Sequence, residues 1–217
     1  MLSVRSSPIP RSGREALFRI GDVNYSESES LVLEAVRKHE AVVREVAGAH
    51  VASVVAFAEL VAGCLEADGT VFWCGNGGSA ADAQHLSGEL VGRFESDRRP
   101  LRSVALSADG VVLTCIGNDF GYDEIFARQV TALGRPGDVL VGISTSGHSP
   151  NVSGALEAAS EAGLSTVGLL GRDGGAAVHL VDLPIVVSGQ STARIQEAHT
   201  LIGHVVCDLV ERLLGID

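Results

Sequence analysis

Residues 70–89 read TVFWCGNGGSAADAQHLSGE, and they combine a strand, a glycine-rich turn and the start of a helix. The apolar residues 71–74 predict a buried strand, while Ser79 and Asp82 predict the N-cap and the first turn of the helix. Backbone N–H groups at such a turn and the helix dipole point at one place. The stretch therefore predicts an anion-binding site.

The helix that follows carries a possible chemical pair. His85 and Glu89 lie four residues apart, so they share one face of the helix. A His/Glu pair behind a phosphate cradle indicates chemistry on a phosphorylated small molecule. The alternative is a solvated helix face, on which such pairs are common.

Outward from this stretch, short apolar strands alternate with helical segments. Alternation of this kind indicates right-handed crossovers and a parallel sheet with helices on both faces, an α/β fold with a three-layer αβα sandwich. The predicted strands are 71–74, 104–106, 138–143, 166–170 and 183–187, and the predicted helices on this side of the motif are 122–133, 150–162 and 192–214.

The N-terminal part shows helical periodicity from residue 28. Two apolar helical runs, separated near Gly48, predict an N-terminal helical hairpin. The excess of valine and alanine in residues 51–65 favours a subunit interface, and a helix buried inside one subunit is the alternative. Residues 1–27 are predicted to be a disordered leader, and residues 28–217 a single domain.

A second loop, residues 144–149, follows the predicted strand at residues 138–143. In a parallel α/β sheet, ligands collect at the carboxyl ends of strands, where both this loop and residues 75–79 lie. The second loop offers a neutral cradle suited to a phosphate monoester. Neither loop has the Gly-Lys-Ser/Thr or G-x-G-x-x-G pattern, which disfavours nucleotide binding. The hydroxyls of the second loop belong to Ser144, Thr145, Ser146 and Ser149.

The last helix carries further candidate ligands. Gln196 and His204 are eight residues apart, about 80° around the helix, so both could flank one cleft. Together with His85 and Glu89 they would suit zinc, although glutamine is an unusual zinc ligand. A histidine with a purely structural role is the alternative.

Charge, cysteine content and hydropathy limit the partners and the cellular compartment that we expect. The formal charge of −11 argues against a nucleic-acid surface. Four widely spaced cysteines indicate free thiols in a reducing cytoplasm. No uninterrupted apolar run approaches the length of about 18 residues that a membrane span needs, so we expect no membrane partner.

Four segments carry a family resemblance: CGNGGSAADAQH at 74–85, GNDFG at 117–121, ISTSG at 143–147 and RIQEAH at 194–199. They resemble the sugar isomerase (SIS) family, and within it the bacterial phosphoheptose isomerases. The resemblance implies a five-stranded parallel sheet in a cytoplasmic homotetramer that converts sedoheptulose 7-phosphate to D-glycero-D-manno-heptose 7-phosphate.

The resemblance also implies residue roles. Glu89 and His204 match a proton-transfer pair, while His85, Glu89, Gln196 and His204 match positions that bind one zinc ion. The four hydroxyl residues of the second loop would hold the phosphate. The remaining substrate contacts would come from Asn76, Gly77, Gly78, Ser79, Asn118, Asp119 and Gln196.

Two positions depart from the family pattern. His148 stands where asparagine is usual, and Ala193 replaces an aspartate found in some members. Either departure would suit a related heptose phosphate or an altered affinity. The rival interpretation is a non-catalytic tetrameric scaffold that resembles the bacterial protein binding the replication initiator. The presence of both Glu89 and His204 favours an enzyme.

Overall fold

The computed structural model describes residues 25–216, and its centre is a five-stranded parallel sheet in the order β2-β1-β3-β4-β5. All four neighbouring pairs run parallel. This confirms the predicted sheet. The strands are β1 (Val71–Gly75), β2 (Ser103–Ala105), β3 (Val139–Ser144), β4 (Ser165–Gly171) and β5 (Leu183–Val187).

Seven α-helices accompany the strands in the described residues. They are α1 (Tyr25–Glu45), α2 (Val51–Glu66), α3 (Gly78–Val91), α4 (Gly110–Asp119), α5 (Ala127–Leu133), α6 (Pro150–Glu161) and α7 (Thr192–Leu213). The segment predicted as one helix at 122–133 is divided into a 3₁₀ turn, Tyr122–Glu124, and α5.

Two hydrophobic cores lie on opposite faces of the sheet, which confirms the three-layer sandwich. Alternating side chains of one strand point to opposite faces, so Trp73 enters one core and Phe72 the other. The Trp73 side contains the buried residues of α2, α3 and α7. The Phe72 side contains those of α5 and α6.

The described residues divide between two compact units at Lys38 and His39. In the first unit, α1 exposes Leu31, Val32 and Leu33, and Lys38 pairs with Glu34 at 2.6 Å. The second unit contains the whole sheet. Residues 1–24 of the predicted leader lie outside the described residues, and residues 25–27 already belong to α1.

The predicted helical hairpin is wrong. Between Glu45 and Val51, both of which are right-handed helical, the chain forms a π-helix from Val46 to His50. A π segment widens the helix by accommodating an extra residue, and it does not reverse the chain. Gly48, the expected site of the reversal, lies inside this segment, with no atom within 4 Å of where a Cβ would be.

The helix α2 is a core helix of the second unit. Seven of its residues are buried, including Phe57 and Val61, which are fully buried. By length and apolar composition the stretch Ser26–Glu66 could also cross a membrane. The sequence-based expectation missed this because it counted only uninterrupted apolar runs, whereas one or two charges are tolerated. A buried core helix meets the same compositional criterion.

All four cysteines are free, as predicted. Cys64, Cys74 and Cys207 are buried, and Cys115 is exposed. Burial raises the pKa of Cys74 to about 12 and that of Cys207 to about 12. Because the thiolate is the reactive form, these two buried residues act as small apolar side chains.

His199 of α7 is a fully buried histidine outside the predicted ligand set. Its Nε2 lies 3.0 Å from the Leu170 carbonyl oxygen and its Nδ1 is buried without a partner. Burial lowers the pKa of His199 to about 4. The neutral ring, with Nε2 donating to Leu170, is therefore the form that packs between α7 and β4.

We expect His199 to make the free energy of unfolding depend on pH. Its pKa is lower in the folded than in the unfolded chain, so the unfolded chain binds the extra proton and stability falls as pH drops from about 6.5 to about 4, by about 3 kcal/mol in all. Urea denaturation of the wild type and of His199→Gln at pH 7, 6 and 5 measures this. Equal pH slopes for the two proteins would contradict the assignment.

Candidate active site

The first site element is the loop that joins β1 to α3. The N-cap of α3 is Gly77, with φ of 56°, and the helix begins at Gly78. The predicted N-cap, Ser79, is instead a buried residue of the first turn, because glycine adopts positive φ without steric cost. The amides of Ser79 and Ala80 donate to Asn76 O and Gly77 O, so fewer N–H groups face outward than expected.

The second site element leaves the neighbouring strand at the same end of the sheet, since Gly75 of β1 pairs with Ile143 of β3. Ser144 is buried, its Oγ lies 3.2 Å from Ser149 Oγ, and it accepts a hydrogen bond from the Gly147 amide at 3.1 Å. Gly147 has φ of 66°, and a Cβ there would collide with Gly174. The loop at residues 144–149, called the hydroxyl loop below, is therefore held in a defined conformation by its own contacts.

Three of the predicted ligands lie together where α3 meets α7. His85 Nε2 is 2.7 Å from His204 Nε2, and His85 Nδ1 is 3.6 Å from Glu89 Oε1. One ligand atom from each of the three residues falls within a mutual distance of 4.8 Å. Two imidazoles and a carboxylate form a donor set that zinc favours, so the residues fit the expected metal.

Close packing of α3 on α7 produces this cluster. A Cβ added at Gly203, next to His204, would lie 2.5 Å from both Cδ atoms of the fully buried Leu86, next to His85. The absence of a side chain at Gly203 thus lets the two helices approach. The helix spacing, and with it the distance between the two imidazoles, depends on this contact.

Gln196, the fourth predicted ligand, belongs to the first turns of α7, and its side chain reaches the start of α3. Its side-chain amide packs on Gly78, where any Cβ would collide with it. His85 is seven residues further along α3, about 10 Å of helix. The structure thus places Gln196 beside the glycine loop and groups His85, Glu89 and His204.

Asn118 and Asp119 lie at the exposed C-terminal end of α4, where Asn118 Nδ2 donates to Asp119 Oδ1 at 2.7 Å. The chain then turns back towards the glycine loop. Tyr122 Oη donates to Asn76 Oδ1 at 2.9 Å, and Asn76 also pairs with the buried Asn151. Neither Tyr122 nor Asn151 was predicted, since only the fold brings these three segments together.

Two more residues that sequence reasoning missed line the cluster. Asp82 accepts a hydrogen bond from Thr200 at 2.9 Å, its other carboxylate oxygen is buried without a partner, and burial raises its pKa. The ring of Phe94 lies 5.6 Å from that of His204. The spacing of Asp82 and His85, three residues apart on a helix, could have indicated the first. Nothing in the sequence indicates Phe94.

A buried ion pair anchors the loop that carries Phe94. Glu211 accepts hydrogen bonds from the Phe94, Glu95 and Ser96 amides and from Arg98 Nε, at 2.7–3.2 Å. Arg98 Nη2 donates to the Glu89 carbonyl oxygen at 2.7 Å. The Arg98–Glu211 pair thus connects the last turn of α3, which carries Glu89, to α7, which carries His204.

The family model described as SIS domain matches residues 36–171. The chain belongs to the SIS domain family. Within this SIS group, a phosphoheptose isomerase of Geobacter sulfurreducens is 55% identical over 175 residues, which cover 81% of this chain and 90% of that protein.

Solved SIS structures agree. A phosphoheptose isomerase from Neisseria gonorrhoeae has a TM-score of 0.81 at 44% identity. Another from Francisella tularensis has a TM-score of 0.83 at 36% identity. Each comparison covers 85% of this chain and 98% of the solved chain. The resemblance drawn from the sequence is confirmed, and the chain is an isomerase of the SIS family.

Proposed function

We propose that this SIS isomerase converts sedoheptulose 7-phosphate to D-glycero-D-manno-heptose 7-phosphate. The observation that carries the proposal is the His85–Glu89–His204 cluster, in a chain that also has the hydroxyl loop at the carboxyl end of β3. The relatives support the choice of substrate, because proteins named phosphoheptose isomerase are similar to this chain over most of its length.

Proton transfer is the chemistry that the cluster must perform. Aldose–ketose isomerisation moves a proton between C1 and C2 through an enediol, so it needs a base at carbon and a group that exchanges protons with oxygen. Glu89, half-buried beside His85, is the proposed base at carbon. His204 is the proposed partner at the oxygens, because an imidazole can donate and accept a proton near neutral pH.

A zinc ion would complete this centre. His85, Glu89 and His204 would hold it. Gln196, whose amide packs on Gly78 in this structure, is the proposed fourth ligand from the family resemblance, and its side chain would have to turn towards the cluster to bind. When bound, zinc supplies Lewis-acid polarisation of the substrate oxygens. The chain's own residues still carry the protons.

The two loops divide substrate recognition. We assign the phosphate to Ser144, Thr145, Ser146 and Ser149, because hydroxyls and backbone amides suit a phosphate monoester in a chain of net charge −11. The sugar falls to the glycine loop and its neighbours. These proposed contacts are Asn76, Gly77, Gly78, Ser79, Asn118, Asp119 and Gln196.

A cytoplasmic homotetramer is the proposed assembly. An apolar groove of about 230 Å³ lies between α2 and α7, and Val51, Val55 and Val205 in it are exposed. An exposed groove of this character fits a subunit interface. Sedimentation of the purified chain measures the assembly.

Removing and restoring metal tests substrate and cofactor together. We expect protein treated with chelator to lose most of its turnover of sedoheptulose 7-phosphate, because the polarising cation is gone, and zinc to restore it. The measurement is formation of the aldose phosphate, alongside metal content by elemental analysis. Full activity in metal-free protein would remove zinc from the proposal, and no aldose phosphate from zinc-loaded protein would favour the scaffold interpretation.

A further inference from the structure

The amide of Asn76 is held by two other segments of the chain. Asn76 follows β1, Asn151 lies in the first turn of α6 and Tyr122 opens the 3₁₀ turn after α4. Asn76 Nδ2 donates to Asn151 Oδ1 at 2.8 Å, and Asn151 Nδ2 donates back to Asn76 Oδ1 at 2.9 Å. Tyr122 Oη donates to the same Asn76 oxygen at 2.9 Å.

An inventory of donors and acceptors shows what remains for a ligand. The Asn76 carbonyl oxygen has two lone pairs, and Asn151 and Tyr122 occupy both. One of the two Nδ2 hydrogens goes to Asn151. The other has no acceptor within residues 25–216, so Asn76 can offer one N–H donor and no acceptor.

Burial fixes this arrangement from the Asn151 side. Asn151 is only 1% exposed, and a buried amide must satisfy its polar atoms within the protein. Both of its polar side-chain atoms bond to Asn76. Turning the Asn76 amide away would leave buried polar atoms of Asn151 unpaired, at a cost comparable to a lost hydrogen bond.

We propose that Asn151 and Tyr122 are positioning residues that hold Asn76 as a single N–H donor to an oxygen of the sugar. The proposal rests on the proposed function, because it assigns a sugar phosphate to this cleft. A neutral N–H selects a hydroxyl or carbonyl oxygen on the ligand and disfavours a group that can only donate.

The same contacts connect recognition of the sugar to recognition of the phosphate. Asn151 stands two residues after Ser149, whose hydroxyl lies 3.2 Å from Ser144 Oγ in the cradle. Asn76 stands at the end of β1, which pairs with β3 directly before that cradle. The paired amides of Asn76 and Asn151 thus fix the distance between the N–H group that would bind the sugar and the loop at residues 144–149.

Binding of two probes tests the proposal. The first probe is heptitol 7-phosphate, made by borohydride reduction of sedoheptulose 7-phosphate. It has no carbonyl group and cannot be isomerised. The second probe is inorganic phosphate. Calorimetry of the zinc-loaded protein gives both dissociation constants for the wild type, Asn76→Ala, Tyr122→Phe and the double variant. Asn151→Leu, which has nearly the same shape but no polar atoms and adds no charge, is a fourth variant, and thermal midpoints report folding.

We expect each single variant to weaken heptitol 7-phosphate binding about fivefold and to leave inorganic phosphate binding within about twofold. The double variant should bind no more weakly than Asn76→Ala, because Tyr122 acts through Asn76. Additive losses, equal losses for both probes, or no binding of the heptitol phosphate by the wild type would overturn the proposal. The expected pattern without turnover of sedoheptulose 7-phosphate would uphold the positioning role and reject the proposed activity on that substrate.

Discussion

Replacing Glu89 by glutamine is expected to lower turnover of sedoheptulose 7-phosphate by about three orders of magnitude. General acid–base catalysis contributes about 10²- to 10⁴-fold, and an amide cannot take a proton from carbon. Glu89 lies in the last turn of α3, next to His85, with its side chain 24% exposed. It is accessible to a substrate and yet partly screened from water.

Steady-state kinetics and zinc analysis of the same preparation distinguish the two roles of this carboxylate. Loss of turnover with zinc retained identifies the base, and loss of both identifies a ligand. Glu157→Gln is the matched control, because that carboxylate is exposed on α6 on the other face of the sheet. Wild-type turnover in Glu89→Gln would refute the proposed mechanism.

Gly203→Ala is expected to separate α3 from α7. The added methyl would lie 2.5 Å from the side chain of Leu86, and because that side chain is fully buried in the core, relieving the clash displaces it or one of the two helices. Overpacking of this kind costs about 1–3 kcal/mol in the free energy of unfolding. Displacing His204 from His85 should also lower turnover at least about tenfold, since small misplacements of catalytic groups are costly.

Gly88→Ala provides the comparison, because it adds the same methyl to α3 where no atom lies within 4 Å. It is expected to raise the free energy of unfolding by up to about 1 kcal/mol, the gain in helix propensity, and to leave turnover unchanged. Urea denaturation and kinetics on both variants measure these effects. If Gly203→Ala behaved like Gly88→Ala, helix spacing would not determine the geometry of the cluster.

Local pattern predicted most of the fold. The strand at residues 183–187 matches β5 residue for residue, and α7 ends one residue before its predicted end, because apolar runs and helix spacing are local properties. The π segment at Val46–His50 was missed, since a wider turn has no distinctive composition. The N-cap was misplaced because the positive φ of Gly77 depends on the loop as a whole.

The site was only partly predictable. Spacing alone placed His85 and Glu89 on one face. The 2.7 Å approach of His204 depends on Gly203 and Leu86, which are far apart in the sequence. Tyr122 and Asn151 illustrate the same limit, because each becomes a partner of Asn76 only when separate crossovers of the sheet bring their segments to one edge.

The buried pair of Arg98 and Glu211 limits how this sequence can vary. Burial alone raises the pKa of Glu211, yet hydrogen bonds from Ser96 and Arg98 lower it below its usual value, so the pair is charged at neutral pH. Removing either charge leaves the other buried and unpaired, which lowers the free energy of unfolding by about 3–5 kcal/mol. A sequence change at one of these two positions is therefore tolerated only with a matching change at the other, whether it arises in evolution or in an engineered library.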